Sequence, residues 1–274
     1  MKPDIKLLAV DLDGTLLNSA RQVSKENLCA LNRVARAGIE VVPITGRPPL
    51  GIIHMLEGVI GFHILAGHNG AFVYDIRKKT VLESKVVTKE EALPLIELAR
   101  RMKIYFSYHV GLDWYVESQD ETFESERSAN QMVPIISDDI LRVAPPVANK
   151  ICLIDLNNFD HLLEFQAEAL KLAPNLNVMV SSNVSLEITH KNATKGAALR
   201  FIANHLGIRA NQIMAVGDSE NDVTMIEYAG VGVAMGNAEE QIIRIADLVV
   251  ANNDEDGVAD AVNRVIFSGC VCYS

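Results

Sequence analysis

The stretch IKLLAVDLDGTLLNS, residues 5–19, decides the fold class. Its opening run IKLLAV is mostly apolar, which is typical of a strand buried on both faces of a parallel sheet. Asp11 and Asp13 follow directly, and residues two apart project to the same side of an extended chain. Two ionised carboxylates about 4 Å apart repel by about 4 kcal/mol at an effective dielectric of about 20. We therefore expect a positive charge nearby that offsets this repulsion.

Both ends of the chain alternate strand and helix signals. Ser24 is a helix N-cap candidate, and Gly38 stands where that helix should stop. Strands that alternate with helices predict an α/β fold. In this fold we expect the outer thirds to form one parallel sheet with right-handed crossovers. The strands predicted in these thirds are 5–10, 39–44, 63–66, 71–74, 80–82, 212–216, 230–235 and 247–251. The helices predicted there are 25–37, 50–58, 193–206, 223–229, 238–246 and 258–267.

The middle of the chain differs from the outer thirds in its sequence pattern and aromatic content. Thr88 and Glu91 form a capping-box pattern that opens a helix to about Met102. Strand-like segments follow, and most of the aromatic residues lie in this region. We therefore expect an inserted cap domain over 84–187, and a core domain formed by 1–83 and 188–274.

Composition narrows the class of partner. The chain has 274 residues, a formal net charge of −10 and 49% hydrophobic residues. The negative charge argues against nucleic acid or an anionic membrane as partner, because such partners usually meet a basic patch. No uncharged apolar run approaches the roughly 18 residues of a membrane span. The charge does not exclude a small anionic substrate held in a locally positive pocket.

The cysteines are too few and too scattered for a disulfide framework, which favours a reducing cytosol. Cys270 and Cys272 could suggest a metal or redox pair, but an unpaired C-terminal tail is the simpler interpretation. The four cysteines are Cys29, Cys152, Cys270 and Cys272.

Ligands of open parallel sheets bind at the carboxyl ends of the strands. The residues found just after the strands of the outer thirds are mostly carboxylates, glycines and hydrogen-bonding side chains. They are Asp11, Asp13, Thr45, Gly46, Arg47, Asn69, Gly70, Gly217, Asp218, Glu220, Asn221 and Asp222, with Lys195 at the start of a helix.

Three of these carboxylates indicate a magnesium site. Asp11, Asp13 and Asp218 would form a cluster of hard oxygen ligands, and Mg²⁺ is commonly held by a few carboxylates, waters and a substrate phosphate. Such a cation would offset the repulsion between the first two. The alternative is that Asp11 and Asp13 are turn residues and Asp218 is a helix cap.

Thr45 and Lys195 suit a phosphate, because a hydroxyl and an ammonium both donate to phosphoryl oxygens. Thr45 could instead cap a helix, and Lys195 could lie on a solvated helix face. Arg47 could reach a substrate or pair with an acid of either domain.

Six motifs, in order along nearly the whole chain, resemble the haloacid dehalogenase (HAD) superfamily. The similarity is to its Cof-type sugar phosphatase branch, subclass IIB. The motifs are DLDGTLL (11–17), TGRP (45–48), NGA (69–71), TKGAAL (194–199), GDSENDVTMI (217–226) and NNDEDGVA (252–259).

The resemblance implies a Rossmann-like parallel-sheet core with an inserted α/β cap of the C2B type. It also implies Mg²⁺-dependent hydrolysis of phosphate monoesters through an aspartyl-phosphate. Asp11 would be the nucleophile and a metal ligand. Asp13 would be the general acid and base, with its backbone carbonyl on the metal, and Asp218 would complete the protein ligands.

By the same resemblance, Thr45, Gly46 and Lys195 would bind the transferring phosphoryl group. Asn221 and Asp222 would order the loop that carries Asp218, and Arg47 and Asn69 are candidate substrate contacts. The chain departs from the family pattern before the lysine, where 190–193 lacks a glycine. We expect Asn192 to take a positive φ there in its place.

The first functional hypothesis is a cytoplasmic Mg²⁺-dependent phosphatase of small phosphorylated metabolites, with sugar phosphates favoured. One alternative is a phosphomutase, which would use the same aspartyl-phosphate and pass the phosphoryl group to a second hydroxyl. The other is a catalytically silent regulator that binds a phosphorylated ligand.

Overall fold

A computed structural model describes residues 3–130 and 132–267. None of the helices within these ranges is both long enough and apolar enough to cross a membrane. The strands are β1 (Leu7–Val10), β2 (Glu40–Pro43), β3 (Ile64–Gly67), β4 (Phe72–Asp75), β5 (Thr80–Ser84), β6 (Val87–Thr88), β7 (Tyr105–Val110), β8 (Asp113–Val116), β9 (Ile135–Ile136), β10 (Val147–Ala148), β11 (Lys150–Ile154), β12 (Leu176–Ser182), β13 (Ser185–His190), β14 (Ile213–Gly217), β15 (Val231–Ala234) and β16 (Leu248–Val249). The helices are α1 (Lys25–Arg36), α2 (Pro49–Met55), α3 (Lys89–Met102), α4 (Glu121–Asn130), α5 (Ile140–Val143), α6 (Phe159–Leu172), α7 (Lys195–Leu206), α8 (Val223–Tyr228), α9 (Glu240–Ile245) and α10 (Gly257–Ala261).

The described residues pack into two compact units. The first unit comprises 3–46, 55–82 and 194–267, and the second comprises 47–54, 83–130 and 132–193. The predicted domain boundaries at 83/84 and 187/188 stay a prediction. The segment Arg47–His54 packs with the second unit, although the sequence places it in the core.

The first unit is built on a five-stranded parallel sheet with the order β16-β15-β14-β1-β2. The four residues of β1 are fully buried, as their continuous apolar character predicts. Leu7 pairs with Ile213 on one side and with Glu40 on the other, so β1 lies inside the sheet. The predicted Rossmann-like parallel core is therefore confirmed.

The helices of this unit begin and end as their sequence signals predict. Ser24 caps α1, since its hydroxyl accepts a hydrogen bond from the Asn27 amide at 3.1 Å. Gly38 follows the helix with φ +76°, a left-handed conformation that favours glycine. The apolar faces of α7 and α8 join the strands in one core cluster.

The outer thirds do not form a single sheet, and that prediction is wrong. Strands β3, β4 and β5 make a separate three-stranded sheet. It meets the parallel sheet through one bridge between Ile44 and Ala66. The two sheets are separate because, among the described residues, β3 makes only this isolated bridge toward β2. The tight turn at His68 and Asn69, both with positive φ, then reverses the chain so that β4 pairs antiparallel with β3. A parallel neighbour would need a helical crossover there.

The second unit contains a six-stranded sheet with the order β12-β13-β11-β7-β8-β9. Its pairs are antiparallel except β8 with β9. Alternate residues of β7 and β11 face opposite sides. One side packs in a core cluster with α3 and α6, and the other joins Trp114 and Phe123 in a second cluster. An α/β inserted segment is therefore present.

The capping-box signal for α3 in this unit is confirmed. Thr88 and Glu91 form the predicted capping box at the start of α3. The polar run before Pro146, which carries no clear periodicity, contains α4, β9 and α5. Among the cysteines, Cys29 is exposed and Cys152 is buried, both as free thiols, while Cys270 and Cys272 lie outside the described residues.

Candidate active site

The candidate nucleophile lies where β1 ends. Asp11 is 3% exposed, and its amide donates to the Val216 carbonyl at 3.1 Å, which extends the sheet by one residue. The chain then turns back on itself, since the Leu17 amide donates to the Leu12 carbonyl at 2.8 Å. This turn separates the two carboxylates of the motif: Asp11 is buried and Asp13 is exposed.

The positive charge expected near this motif is the ammonium of Lys195. This side chain is 1% exposed, and its Nζ donates to Asp11 Oδ1 at 2.7 Å and to Asp222 Oδ1 at 2.6 Å. Thr194 caps the helix from which it projects, as its hydroxyl accepts from the Ala197 amide at 3.1 Å. The alternative of a solvated helix face for Lys195 is therefore wrong.

Asp218 follows β14 and contacts the same loop from the other side. The Thr15 hydroxyl, fully buried, donates to Asp218 Oδ1 at 2.6 Å. Gly14 has φ +76°, and a Cβ built on it would lie 2.4 Å from Asp218 Oδ2. The glycine of the motif is thus required twice, by its backbone conformation and by the close approach of this carboxylate.

Asp222 binds the backbone of the loop that carries Asp218. Its Oδ2 accepts from the amides of Asp218 at 2.9 Å and Ser219 at 3.1 Å, while its Oδ1 accepts from Lys195. Both oxygens are therefore used within the protein. This agrees with the implied role of Asp222, which is to order the loop rather than to bind the metal.

The donor set fits a hard divalent cation. Carboxylate oxygens of Asp11, Asp218 and Asp222 lie within 4.8 Å of one another and are at least partly buried. The group contains Asp222 in place of Asp13, whose side chain is exposed. Within the described residues, both oxygens of Asp222 already accept hydrogen bonds, three in all, whereas the side chains of Asp11 and Asp218 accept one each. These two are therefore better suited to Mg²⁺, which prefers oxygen ligands.

Burial dominates the electrostatics of the cluster. It raises the pKa of Asp11 well above the ordinary value, even though Lys195 opposes the shift. It also raises the pKa of Asp218 to about 6, against the hydrogen bond from Thr15. For Lys195, burial acts to lower the pKa, but Asp11 and Asp222 outweigh it and raise the pKa. A bound cation would favour the ionised carboxylates further.

The candidate phosphate-binding residues lie at the end of β2. Thr45 is 1% exposed, and its amide donates to the Ala66 carbonyl at 3.0 Å. Its carbonyl accepts from the Asn69 amide at 3.0 Å. A Cβ built on Gly46 would lie 2.9 Å from Asn69 Oδ1, so this loop and the turn at Asn69 are in close contact.

Asn69 also contacts the loop that carries Asp218, because its Oδ1 accepts from Asn221 Nδ2 at 3.3 Å. The turn thus connects the two loops that carry Thr45 and Asp218. Arg47 packs with the second unit, where its Nη1 donates to the Ala129 carbonyl at 2.8 Å. The substrate contacts expected of Asn69 and Arg47 stay predictions.

The expectation of a positive φ at Asn192 is wrong. Its amide instead donates to His190 Nδ1 at 3.1 Å, and the Ala193 amide donates to the His190 carbonyl at 2.8 Å. The ring and the carbonyl of His190 therefore stabilise this turn, and no glycine is needed for it.

One residue that contacts the site was missed from the sequence. Asn237 Nδ2 donates to the Gly14 carbonyl at 2.8 Å. It follows β15 after two residues, Met235 and Gly236, so the rule that ligands gather at strand ends could have found it.

Residues 8–262 match the family model described as haloacid dehalogenase-like hydrolase. The chain belongs to the haloacid dehalogenase-like hydrolase family. Phosphatase YwpJ of Bacillus subtilis is 34% identical to this HAD-like hydrolase over 291 residues, covering 96% of the chain and 100% of the relative. A solved haloacid dehalogenase-like hydrolase from Bacteroides thetaiotaomicron superposes with a TM-score of 0.89 at 30% identity, covering 95% of this chain and 99% of that one.

The structure of the HAD subclass IIB sugar phosphatase BT4131 superposes on this HAD-like hydrolase with a TM-score of 0.82. It is 23% identical and covers 94% of this chain and 98% of that one, so the likeness is one of fold. The predicted membership of the haloacid dehalogenase superfamily is confirmed by the family model, and the likeness to BT4131 confirms the predicted fold. The family match and the phosphatase relative also confirm the predicted class of enzyme, a HAD-type phosphatase.

Proposed function

We propose that this protein is a cytoplasmic Mg²⁺-dependent phosphatase that hydrolyses small phosphorylated metabolites, with sugar phosphates favoured, through an aspartyl-phosphate on Asp11. The observation that carries the proposal is the buried Lys195, bonded to Asp11 at 2.7 Å, beside the carboxylate of Asp218. The ammonium of Lys195, together with a cation held by the carboxylates, would suit the charge of a phosphoryl group in transfer.

In the first displacement, a carboxylate oxygen of Asp11 attacks the phosphorus and the bond to the substrate alcohol breaks. Asp13, which lies two residues after the nucleophile on the same loop, gives its proton to the departing oxygen. Thr45 and Lys195 donate to the phosphoryl oxygens. In the second displacement, Asp13 takes a proton from water, which attacks the phosphorus and releases inorganic phosphate and Asp11.

The carboxylates of Asp11 and Asp218, with the backbone carbonyl of Asp13, would hold the metal. When bound, Mg²⁺ supplies positive charge that neutralises the phosphoryl oxygens and keeps the nucleophile ionised. Lys195 and Asp222 hold Asp11 and the Asp218 loop in place in either case, since their hydrogen bonds lie wholly within the protein.

The proposed substrate class rests on the chemistry of the site and on the name of one structural neighbour. The residues proposed to act contact the phosphoryl group and its leaving oxygen, and these are common to all phosphate monoesters. The neighbour BT4131 is named a sugar phosphatase, which favours sugar phosphates within this class.

The test is phosphate release by the purified protein from a panel of sugar monophosphates and from p-nitrophenyl phosphate. We expect turnover with Mg²⁺ and its loss with EDTA, restored by excess Mg²⁺. Isomerised sugar phosphate without free phosphate would instead indicate the phosphomutase. Absence of metal-dependent release from every substrate would indicate a silent regulator.

A further inference from the structure

The motif NNDEDGVA, residues 252–259, has no part in the chemistry proposed above. It follows β16 in the first unit, and two of its residues reach the loop after β1. We call residues 11–19 the catalytic loop, since they begin with Asp11 and Asp13. The contacts between the motif and this loop link segments more than 230 residues apart in sequence.

The motif binds the far end of the catalytic loop through two side chains. Asn253 Nδ2 donates to the Leu17 carbonyl at 3.0 Å. The carboxylate of Asp254 accepts from the Ser19 amide at 2.7 Å and from the Ser19 hydroxyl at 2.6 Å. These bonds hold the loop where it leaves the site.

Asn237 joins the motif to the near end of the loop. Its Nδ2 donates to the Gly14 carbonyl at 2.8 Å, and its Oδ1 accepts from the Asn253 amide at 3.0 Å. A single side-chain amide thus bridges the residue after Asp13 and the motif. Asn237 and Asn253 together hold the carbonyls at positions 14 and 17.

The backbone of the motif is shaped for this position. A Cβ on Gly257 would lie 2.1 Å from the Ala251 carbonyl oxygen, which excludes any larger residue without a backbone shift. Asp256 takes φ +59°, and Asn252 Oδ1 accepts from the Asp254 amide at 2.9 Å. The turn that presents Asn253 is therefore fixed by its own contacts.

The catalytic loop is held by two sets of partners. Lys195 holds the side chain of Asp11, and Asp218 holds that of Thr15. The asparagines hold the backbone, at the carbonyls of Gly14 and Leu17. The carboxyl of Asp13 projects from the backbone next to the Gly14 carbonyl, and Asp13 makes a bridge with Leu17, so a shift of this backbone moves the carboxyl.

We infer that Asn237 and Asn253 are positioning residues that orient Asp13 for proton transfer to the leaving group. The inference rests on the proposed function, in which Asp13 is the general acid. Their loss should therefore weaken proton transfer and leave phosphate binding and the carboxylate ligands of the metal in place, because Asp11, Lys195 and Asp218 keep their own contacts.

Two substrates with different leaving groups distinguish a loss of proton transfer from a loss of phosphate or metal binding. A sugar alcohol must be protonated as it departs, whereas p-nitrophenolate departs without a proton. General acid catalysis contributes about 10²- to 10⁴-fold, so a misdirected acid should lose about tenfold or more on the sugar phosphate. Single-turnover cleavage, with enzyme in excess over substrate, reports the first displacement alone.

We expect Asn237→Ala and Asn253→Ala to slow single-turnover cleavage of the sugar phosphate that wild type cleaves best by about tenfold or more. At saturating Mg²⁺, which allows for the proposed metal contact of the Asp13 carbonyl, the rate of p-nitrophenyl phosphate cleavage and the KM should change by less than about threefold. Asn237→Asp keeps an acceptor for the Asn253 amide but cannot donate to the Gly14 carbonyl, so it should reproduce the loss. Asp13→Asn sets the scale for complete loss of the acid.

Gln241→Ala is the matched control, because this exposed amide donates to Glu239 on the surface of α9. It should leave both rates unchanged. Thermal melting of each variant establishes that it is folded, and Asn253→Ala and Asn237→Asp carry the test if Asn237→Ala is unfolded.

Equal slowing of both substrates, or no slowing of either, would overturn the positioning role while the phosphatase itself stands. Failure of wild type to cleave any substrate with Mg²⁺ would refute the proposed function, and the inference with it.

Discussion

Lys195 is the residue on which the stability of the site depends most. Its ammonium lies 2.7 Å from Asp11 Oδ1 and 2.6 Å from Asp222 Oδ1, and it is 1% exposed. Each contact corresponds to an attraction of about 6 kcal/mol at an effective dielectric of about 20. Burial of the three charges offsets most of this attraction. Removal of one partner nevertheless costs about 3–5 kcal/mol, because it leaves uncompensated buried charge.

We therefore expect Lys195→Met to lower the free energy of unfolding by about 3–5 kcal/mol near neutral pH. Asp11→Asn should cost less than about 1.5 kcal/mol, since Lys195 keeps Asp222 and the repulsion among the acids falls. The variant that carries both Lys195→Met and Asp11→Asn should be more stable than Lys195→Met alone. Urea unfolding followed by circular dichroism measures all three.

The control is Lys171→Met, whose ammonium forms a 2.7 Å ion pair with Glu168 but is 69% exposed. It should cost less than about 1 kcal/mol, because exposed pairs contribute little. A Lys195→Met variant as stable as this control would refute the electrostatic account of the site.

Two further predictions test other contacts. Gly14→Ala should reduce Mg²⁺-dependent turnover by about tenfold or more, since its Cβ would lie 2.4 Å from Asp218 Oδ2. Gly207→Ala, with φ +69° and no heavy atom within 4 Å of its Cβ, is the matched control, and equal turnover in the two variants would contradict the steric reasoning. Glu126, 6% exposed, has a lowered pKa because hydrogen bonds from His109, Ser107 and Tyr105 outweigh its burial. Its ionised form therefore adds stability above its ordinary pKa of 4.5, and this is lost as the pH falls below that value. The stability difference between wild type and Glu126→Gln, measured by urea unfolding, should narrow from pH 7 to pH 3.5, and an unchanged difference would contradict the assignment.

Short-range signals predicted much of the fold. The apolar run before Asp11 gave the buried central strand, and Ser24 and Thr88 gave two helix starts that the structure confirms. The separate sheet formed by β3, β4 and β5 was missed, because periodicity marks where strands lie and not whether β3 pairs along β2.

For the site, motif order brought together Asp11, Lys195 and Asp218, since strand ends share one edge of a parallel sheet. The burial of Lys195 and the exposure of Asp13 depend on how the loop turns, which spacing does not encode. The contact of Asn237 with Gly14 spans 223 residues and follows no local pattern.

The most direct test of the proposed function is the rate of Mg²⁺-dependent phosphate release by Asp11→Asn, compared with wild type at saturating substrate. An amide cannot serve as the attacking oxygen, so we expect the rate to fall by about 10³-fold or more while circular dichroism shows an intact fold. Turnover near the wild-type rate would remove Asp11 from the nucleophile role and contradict the aspartyl-phosphate mechanism.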